Sequence, residues 1–157
     1  EHGRQQRCSV KNVRISYSYA WQRQQWHSLE AAYRSSPFFE YFEDYFKPFY
    51  EKNYTFLWDY NHDLLQTILR IMQLKPNINY TTEYHKDYAL IDPQTVDYRS
   101  KCYSKIPYQN LNTAYTPPIY HQVFADIYPF TPNLSIADLL FNTGTDAVSL
   151  LKQSVKG

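Results

Sequence analysis

The sequence predicts an α+β fold: a single helix-dominated domain with a short sheet. Three observations carry this. Apolar residues recur at helical spacing in stretches beginning near Gln22, Pro37, Tyr60 and Ser135, and two shorter stretches alternate apolar with polar residues. No internal repeat or break in composition divides the 157 residues, a length that buries roughly two-thirds of the unfolded surface in one core.

Val13 to Tyr19 alternates and is rich in β-branched and aromatic residues, which predicts a strand with Val13, Ile15, Tyr17 and Tyr19 on one face. From Gln22 the period changes, and Trp26, Leu29, Ala32 and Tyr33 mark a helix that must end before Pro37. Ser36 is the expected cap of a second helix with Pro37 at its first position and Phe38, Phe42, Tyr45, Phe46 and Phe49 as its buried stripe, broken at Pro48. A third helix is expected from about Tyr60 to Met72, capped by Asp59 or Asn61, with Leu64, Leu65, Ile68, Leu69 and Met72 inward.

Asn77 to Tyr84 alternates again and predicts the second strand. Positions 85 to 118 carry four scattered prolines and no sustained period, which predicts either a lid or binding loop or a structured excursion fastened by its tyrosines. Ser135-Ile136-Ala137-Asp138 reads as a helix cap, Gly144 as the matching end signal, and a last helix follows from Thr145.

Fourteen of the thirty-five residues from Trp26 to Tyr60 are aromatic, so the rings form either a buried core or a stacking surface. The 17 tyrosines predict many rings at the boundary between interior and solvent. The two cysteines, Cys8 and Cys102, lack any zinc-ligand spacing; a reduced cytoplasmic chain is the simplest reading and a single disulfide in an exported protein the alternative. No apolar run reaches the roughly 18 residues that span a bilayer, so no membrane span is expected. The opening residues, Glu1 to Arg7, carry no initiator methionine, and native residues are expected ahead of them.

A net charge of +1 gives no long-range attraction to nucleic acid, and the rings cluster among Glu40, Glu43, Asp44 and Glu51, which repel a phosphate backbone. The basic bias of the first 34 residues is either a solvated face or a site for a phosphate-bearing ligand such as a nucleotide sugar. With three glycines there is no phosphate-cradling loop, and no cofactor or metal is expected.

Among side chains that carry chemistry, His27 and Glu30 are three residues apart on one helix, where a carboxylate orients an imidazole as general base; a plain surface pair is the alternative. Glu83, His85 and Asp87 alternate, as metal ligands or an acid/base set do, and as a solvated strand edge also does. Asp59, His62 and Asp63 form a similar set, for which helix capping and the helix dipole at a helix start are the alternative. Tyr120, Gln122 and Phe124, followed by Asp126, suit a sugar or amide ligand, with core packing of the rings as the alternative.

The order of landmarks is informative. Trp26-His27, Ala32-Tyr33, Ser36 to Tyr41, Phe56 to Asn61, Thr82-Glu83-Tyr84, Tyr120 to Phe124 and the run from Pro132 to Gly144 together resemble the WbqC-like family of bacterial proteins, over roughly positions 13 to 144. Members of that family usually carry a further N-terminal part, so the resemblance implies that residues 1–157 form one such domain, partial at its N-terminus. It also implies a role in lipopolysaccharide O-antigen and related surface-polysaccharide biosynthesis, with transfer of an acyl or aminoacyl (glycyl) group to an amino sugar as the suggested activity.

The expected ligand is then a nucleotide-linked or lipid-linked sugar. His27 is the candidate base, Glu30 or Glu83 its orienting carboxylate, and Trp26, Tyr33, Tyr120, Gln122, Ser135, Asp138 and Asn142 the candidate substrate-binding residues. A noncatalytic sugar-binding or scaffold module, partnering glycosyltransferases through an aromatic surface along Phe38, Phe42, Tyr45 and Phe49, is the alternative.

Overall fold

The computed structural model describes residues 9–88, 90–99 and 115–155; Cys8 and Cys102, and the expectation placed on them, lie outside that set. Six α-helices follow one another among the described residues: α1 (Trp21–Tyr33), α2 (Phe39–Phe46), α3 (Pro48–Glu51), α4 (Leu57–Ile71), α5 (Ile136–Thr143) and α6 (Ala147–Ser154). Short 3-10 turns at Val10–Asn12 and Gly144–Asp146 precede the first and last of them.

The fold is all-α, which corrects the expected α+β class: among the described residues β-pairing is confined to isolated antiparallel bridges, Arg14 with Phe56 and Tyr115 with Val155. The physical reason is visible at the first expected strand. Ile15 donates its amide to the Thr55 carbonyl and Leu57 to the Val13 carbonyl, at 3.1 and 2.9 Å; in this antiparallel register Tyr17 and Tyr19 would face Asn53 and Glu51, and Glu51 already belongs to α3, so the ladder has no strand to continue on. Beyond that point side chains take over the backbone groups. The Tyr17 hydroxyl donates to the Tyr54 carbonyl and accepts from the Tyr54 amide, and the Trp21 indole donates to the Ser16 carbonyl. The second expected strand, Asn77 to Tyr84, makes no ladder among the described residues and bends at Thr82 and Glu83; it is tethered by Tyr80, whose hydroxyl meets His62 Nδ1 at 2.7 Å and whose ring meets Trp58 edge-on.

The helices follow their periodicity with differences at the ends: α4 starts at Leu57, ahead of the expected cap at Asp59 or Asn61, and Leu65, expected inward, is 45% exposed. α1 stops where Pro37 requires, but the Ser36 hydroxyl donates back to the Tyr33 carbonyl at 2.6 Å and so closes α1 instead of capping α2. α2 begins at Phe39, which makes Phe39, Phe42, Phe46 and Phe49 the buried rings and leaves Phe38 and Tyr45 more than a third exposed. Most of that stripe is therefore core. Pro48 starts α3 at the position where its missing amide hydrogen costs nothing.

The core gathers on Phe141 of α5, which is fully buried and meets the rings of Tyr33, Phe39 and Phe46 at 5.1 to 5.2 Å between centroids. Trp26, Phe42, Met72, Leu139, Leu140 and Ala147 complete it. α5 has the start and stop that its sequence announces: the Ser135 hydroxyl accepts the Ala137 amide at 3.0 Å, and Gly144 ends the helix at a φ of 60°. The described part of the 85–118 segment holds no helix, and Arg99 fastens it, donating to the Asp97 carboxylate and the His85 carbonyl while lying over the rings of Tyr84 and Tyr88.

Candidate functional site

His27 and Glu30 sit one turn apart on the outer face of α1, with Nδ1 and Oε2 at 3.2 Å. Glu30 shares its other oxygen with Arg34 at 3.1 Å, and Arg23 donates to His27 Nε2 at 3.4 Å. Both His27 and Arg34 are more than half exposed, so solvent weakens this network. Trp26 points the opposite way, into the core against Phe39 and Tyr50. Glu83 lies at a bend in the irregular segment after α4, where its carbonyl accepts the Tyr88 hydroxyl at 3.3 Å. No group of three His, Cys, Asp or Glu side chains among the described residues could hold a metal ion, the Glu83, His85 and Asp87 set included.

A second set of candidates does converge. Ser135 caps α5, and one turn on Asp138 is almost fully buried, accepting the Tyr120 hydroxyl at 2.5 Å. Burial pushes the Tyr33 and Tyr120 phenols well above the usual tyrosine range, and the Asp138 carboxylate adds to both shifts. Asn142 donates Nδ2 to the Asp138 carbonyl at 2.8 Å, while its buried Oδ1 has no partner among the described residues. Gln122 is buried and uses both ends of its amide on Thr131, donating to the carbonyl at 2.8 Å and accepting the amide at 2.9 Å. It clips the 122–131 loop shut; Phe124 and Asp126, on that loop, are exposed.

Tyr120 and Ser135 open onto a hollow of about 200 Å³ between the 115–120 segment and the start of α5, also lined by Asn133, Ile136, Leu139 and Leu151. Tyr33, Asp138, Gln122 and Asn142 do not line it; Asp138 holds Tyr120 in place from behind. His27, Glu30 and Glu83 stand apart from it.

A larger hollow, of about 470 Å³, lies between α2–α3 and α4 and was not anticipated from the sequence. One wall carries Asp44 and Tyr45, the other Asp63, Gln66, Thr67 and Arg70. Its floor is the buried Tyr54, whose hydroxyl donates to Asp63 Oδ2 at 3.1 Å and whose phenol burial pushes up to about 12, the Asp63 carboxylate adding to it. Asp63 thus turns away from His62, which pairs with Tyr80, while Asp59 stays in the first turn of α4. The signal that could have found this hollow is the polar spacing i, i+3, i+4, i+7 along α4, which in sequence looks the same as a solvated face.

Among the described residues no helix is long and apolar enough to cross a membrane. No curated protein and no solved structure matches the chain. The model of the WbqC-like protein family matches residues 1–98, which take in α1 to α4 and the whole of the larger hollow, while Tyr120 and α5 lie beyond the match. Covering more than half of the 157 residues, that match shows that the chain belongs to the WbqC-like protein family.

Proposed function

We propose that the protein acts in the biosynthesis of a bacterial surface polysaccharide and binds the sugar of a nucleotide-linked or lipid-linked intermediate in the hollow at the start of α5. The observation that carries this reading is the Tyr120 phenol, fixed by Asp138 at the wall of a hollow of about 200 Å³, with Ser135 and Asn133 beside it. An aromatic wall with a few fixed polar groups is the composition of a small-ligand site. The family resemblance supplies the biosynthetic setting.

A thermal-shift panel of nucleotide sugars on the full chain tests it, because a ligand at a hundredfold its Kd adds about 2.7 kcal/mol of stability. Leu134 lines the hollow and is 44% exposed, so Leu134→Trp fills the space without disturbing the core. The expected result is a shift with at least one sugar that Leu134→Trp removes; no shift across the panel overturns the reading.

The contact between His27 and Glu30 favours a second reading, in which the protein transfers an acyl or aminoacyl group to an amino sugar. Glu30, the carboxylate in contact, orients the imidazole, and His27 takes the proton from the acceptor amine as its nitrogen bonds to the acyl carbon of an activated acyl donor; the bond from that carbon to the donor's leaving group breaks, and the leaving group departs with the electron pair and receives the proton from His27. Glu83 makes no such contact with His27 and is the weaker partner. His27→Ala would then abolish transfer while changing stability by about 0.5 kcal/mol or less, as for other exposed positions.

A further inference from the structure

We propose that the hollow between α2–α3 and α4 is a second binding site, for an uncharged sugar ring, and this inference stands independently of the reading placed on the α5 hollow. α4 lines it with Asp63, Gln66, Thr67 and Arg70, one face of the helix at i, i+3, i+4 and i+7. A helix sealed against its neighbour carries apolar residues at that spacing. On α4 the apolar Leu64, Ile68 and Ile71 pack on the core instead, so the polar face leaves its space against α2 unfilled. At about 470 Å³ the space falls within the range of small-molecule sites.

The lining specifies the ligand. Asp44, Gln66, Thr67 and Arg70 make no side-chain hydrogen bond or ion pair with another described residue, and Asp63 commits only one of its oxygens, to Tyr54. The carboxylates accept from ring hydroxyls, while the amide, the threonine hydroxyl and the guanidinium donate to ring and hydroxyl oxygens. Tyr45, 39% exposed, offers a partly apolar ring face of the kind that packs against the C–H side of a sugar. Two carboxylates oppose one guanidinium, which already lies 5.7 Å from the Tyr45 ring, so the hollow repels a phosphorylated ligand.

Saturation-transfer NMR of the full chain tests this, with the methyl glycosides of glucose, galactose and N-acetylglucosamine, and with glucose 6-phosphate, as probes. Transfer to at least one neutral glycoside is expected, with weaker transfer to the phosphate. Asp44→Ala and Gln66→Ala alter exposed side chains and keep the fold, checked by amide spectra; each weakens binding about tenfold through a lost hydrogen bond. Leu134→Trp leaves it unchanged. Silence from all three neutral glycosides overturns the proposal, as does tighter binding of the phosphate or unaltered binding in both variants. Loss of the signal in Leu134→Trp assigns the sugar to the α5 hollow and also overturns it, whereas failure of the nucleotide-sugar panel alone bears only on that other hollow.

Discussion

The Tyr120 hydroxyl donates to the Asp138 carboxylate at 2.5 Å across eighteen residues of chain, and this bond ties the 115–120 segment to the start of α5. Asp138 is only 2% exposed, so water cannot replace a lost donor. Tyr120→Phe keeps the ring and removes the hydroxyl. A hydrogen bond to a charged group contributes about 1.5–3 kcal/mol, and urea unfolding of the variant should show a loss in that range. An unchanged midpoint would mean that Asp138 is satisfied without Tyr120.

The buried phenol of Tyr54 and the half-buried ones of Tyr33, Tyr60 and Tyr120 set an alkaline limit. Tyr54 and Tyr60 are pushed up to about 12 by burial, Asp63 adding to the first and neighbouring tyrosines to the second. Tyr33 and Tyr120 are raised further, by burial and then Asp138. Because the folded values lie above the ordinary tyrosine value of about 10, the unfolded chain loses these protons first. Their contribution is complete below pH 10 and disappears as pH rises through the folded values. Stability measured by urea unfolding should therefore show no loss from these groups up to about pH 10 and fall steeply toward pH 12. Tyr54→Phe should make that fall shallower.

Gln122 closes the 122–131 loop through two bonds made by one side chain, at 2.8 and 2.9 Å to Thr131. Gln122→Ala removes both and leaves the Thr131 amide and carbonyl to find water. The expected cost is about 1–3 kcal/mol, with hydrogen exchange of the Thr131 amide accelerated by the same factor as the loop opens. Unchanged exchange at that amide would show that the clip is dispensable.

What the sequence could reveal of this molecule was what local chemistry decides. The cap at Ser135, the stop at Gly144 and the apolar period of α1 each depend on neighbours within a turn, and each is found in place. Alternation along Val13 to Tyr19 says which residues share a face but not whether a second strand is available, and here the short link between α3 and α4 offers one bridge, at Phe56. The Tyr17–Tyr54 and Tyr120–Asp138 pairs, 37 and 18 residues apart, obey no spacing rule, so the bonds that tie Tyr17 and Tyr120 to the fold were out of reach. The α4 hollow was hidden for another reason: Asp63, Gln66, Thr67 and Arg70 carry the residue types of a solvated surface, and only α2 and α3 opposite turn that surface into a wall.

Gly144 joins α5 to α6 at a point where no side chain fits. Its φ of 60° with ψ of −128° is a region that residues with a Cβ rarely enter, and a Cβ there would lie 2.6 Å from Cε1 of Phe38. The two effects are separable. Backbone strain of about 1–3 kcal/mol belongs to position 144 alone. The clash depends on the Phe38 ring, which is 37% exposed and can swing outward, although the Phe38 amide is held to the Phe141 carbonyl at 3.0 Å. Gly144→Ala should therefore destabilise by at least the strain, and in the Phe38→Ala background the same substitution should cost less by the share due to the ring. A double-mutant cycle on urea unfolding reads this directly. Equal costs in both backgrounds would place the whole penalty in the backbone and show that the ring moves away freely.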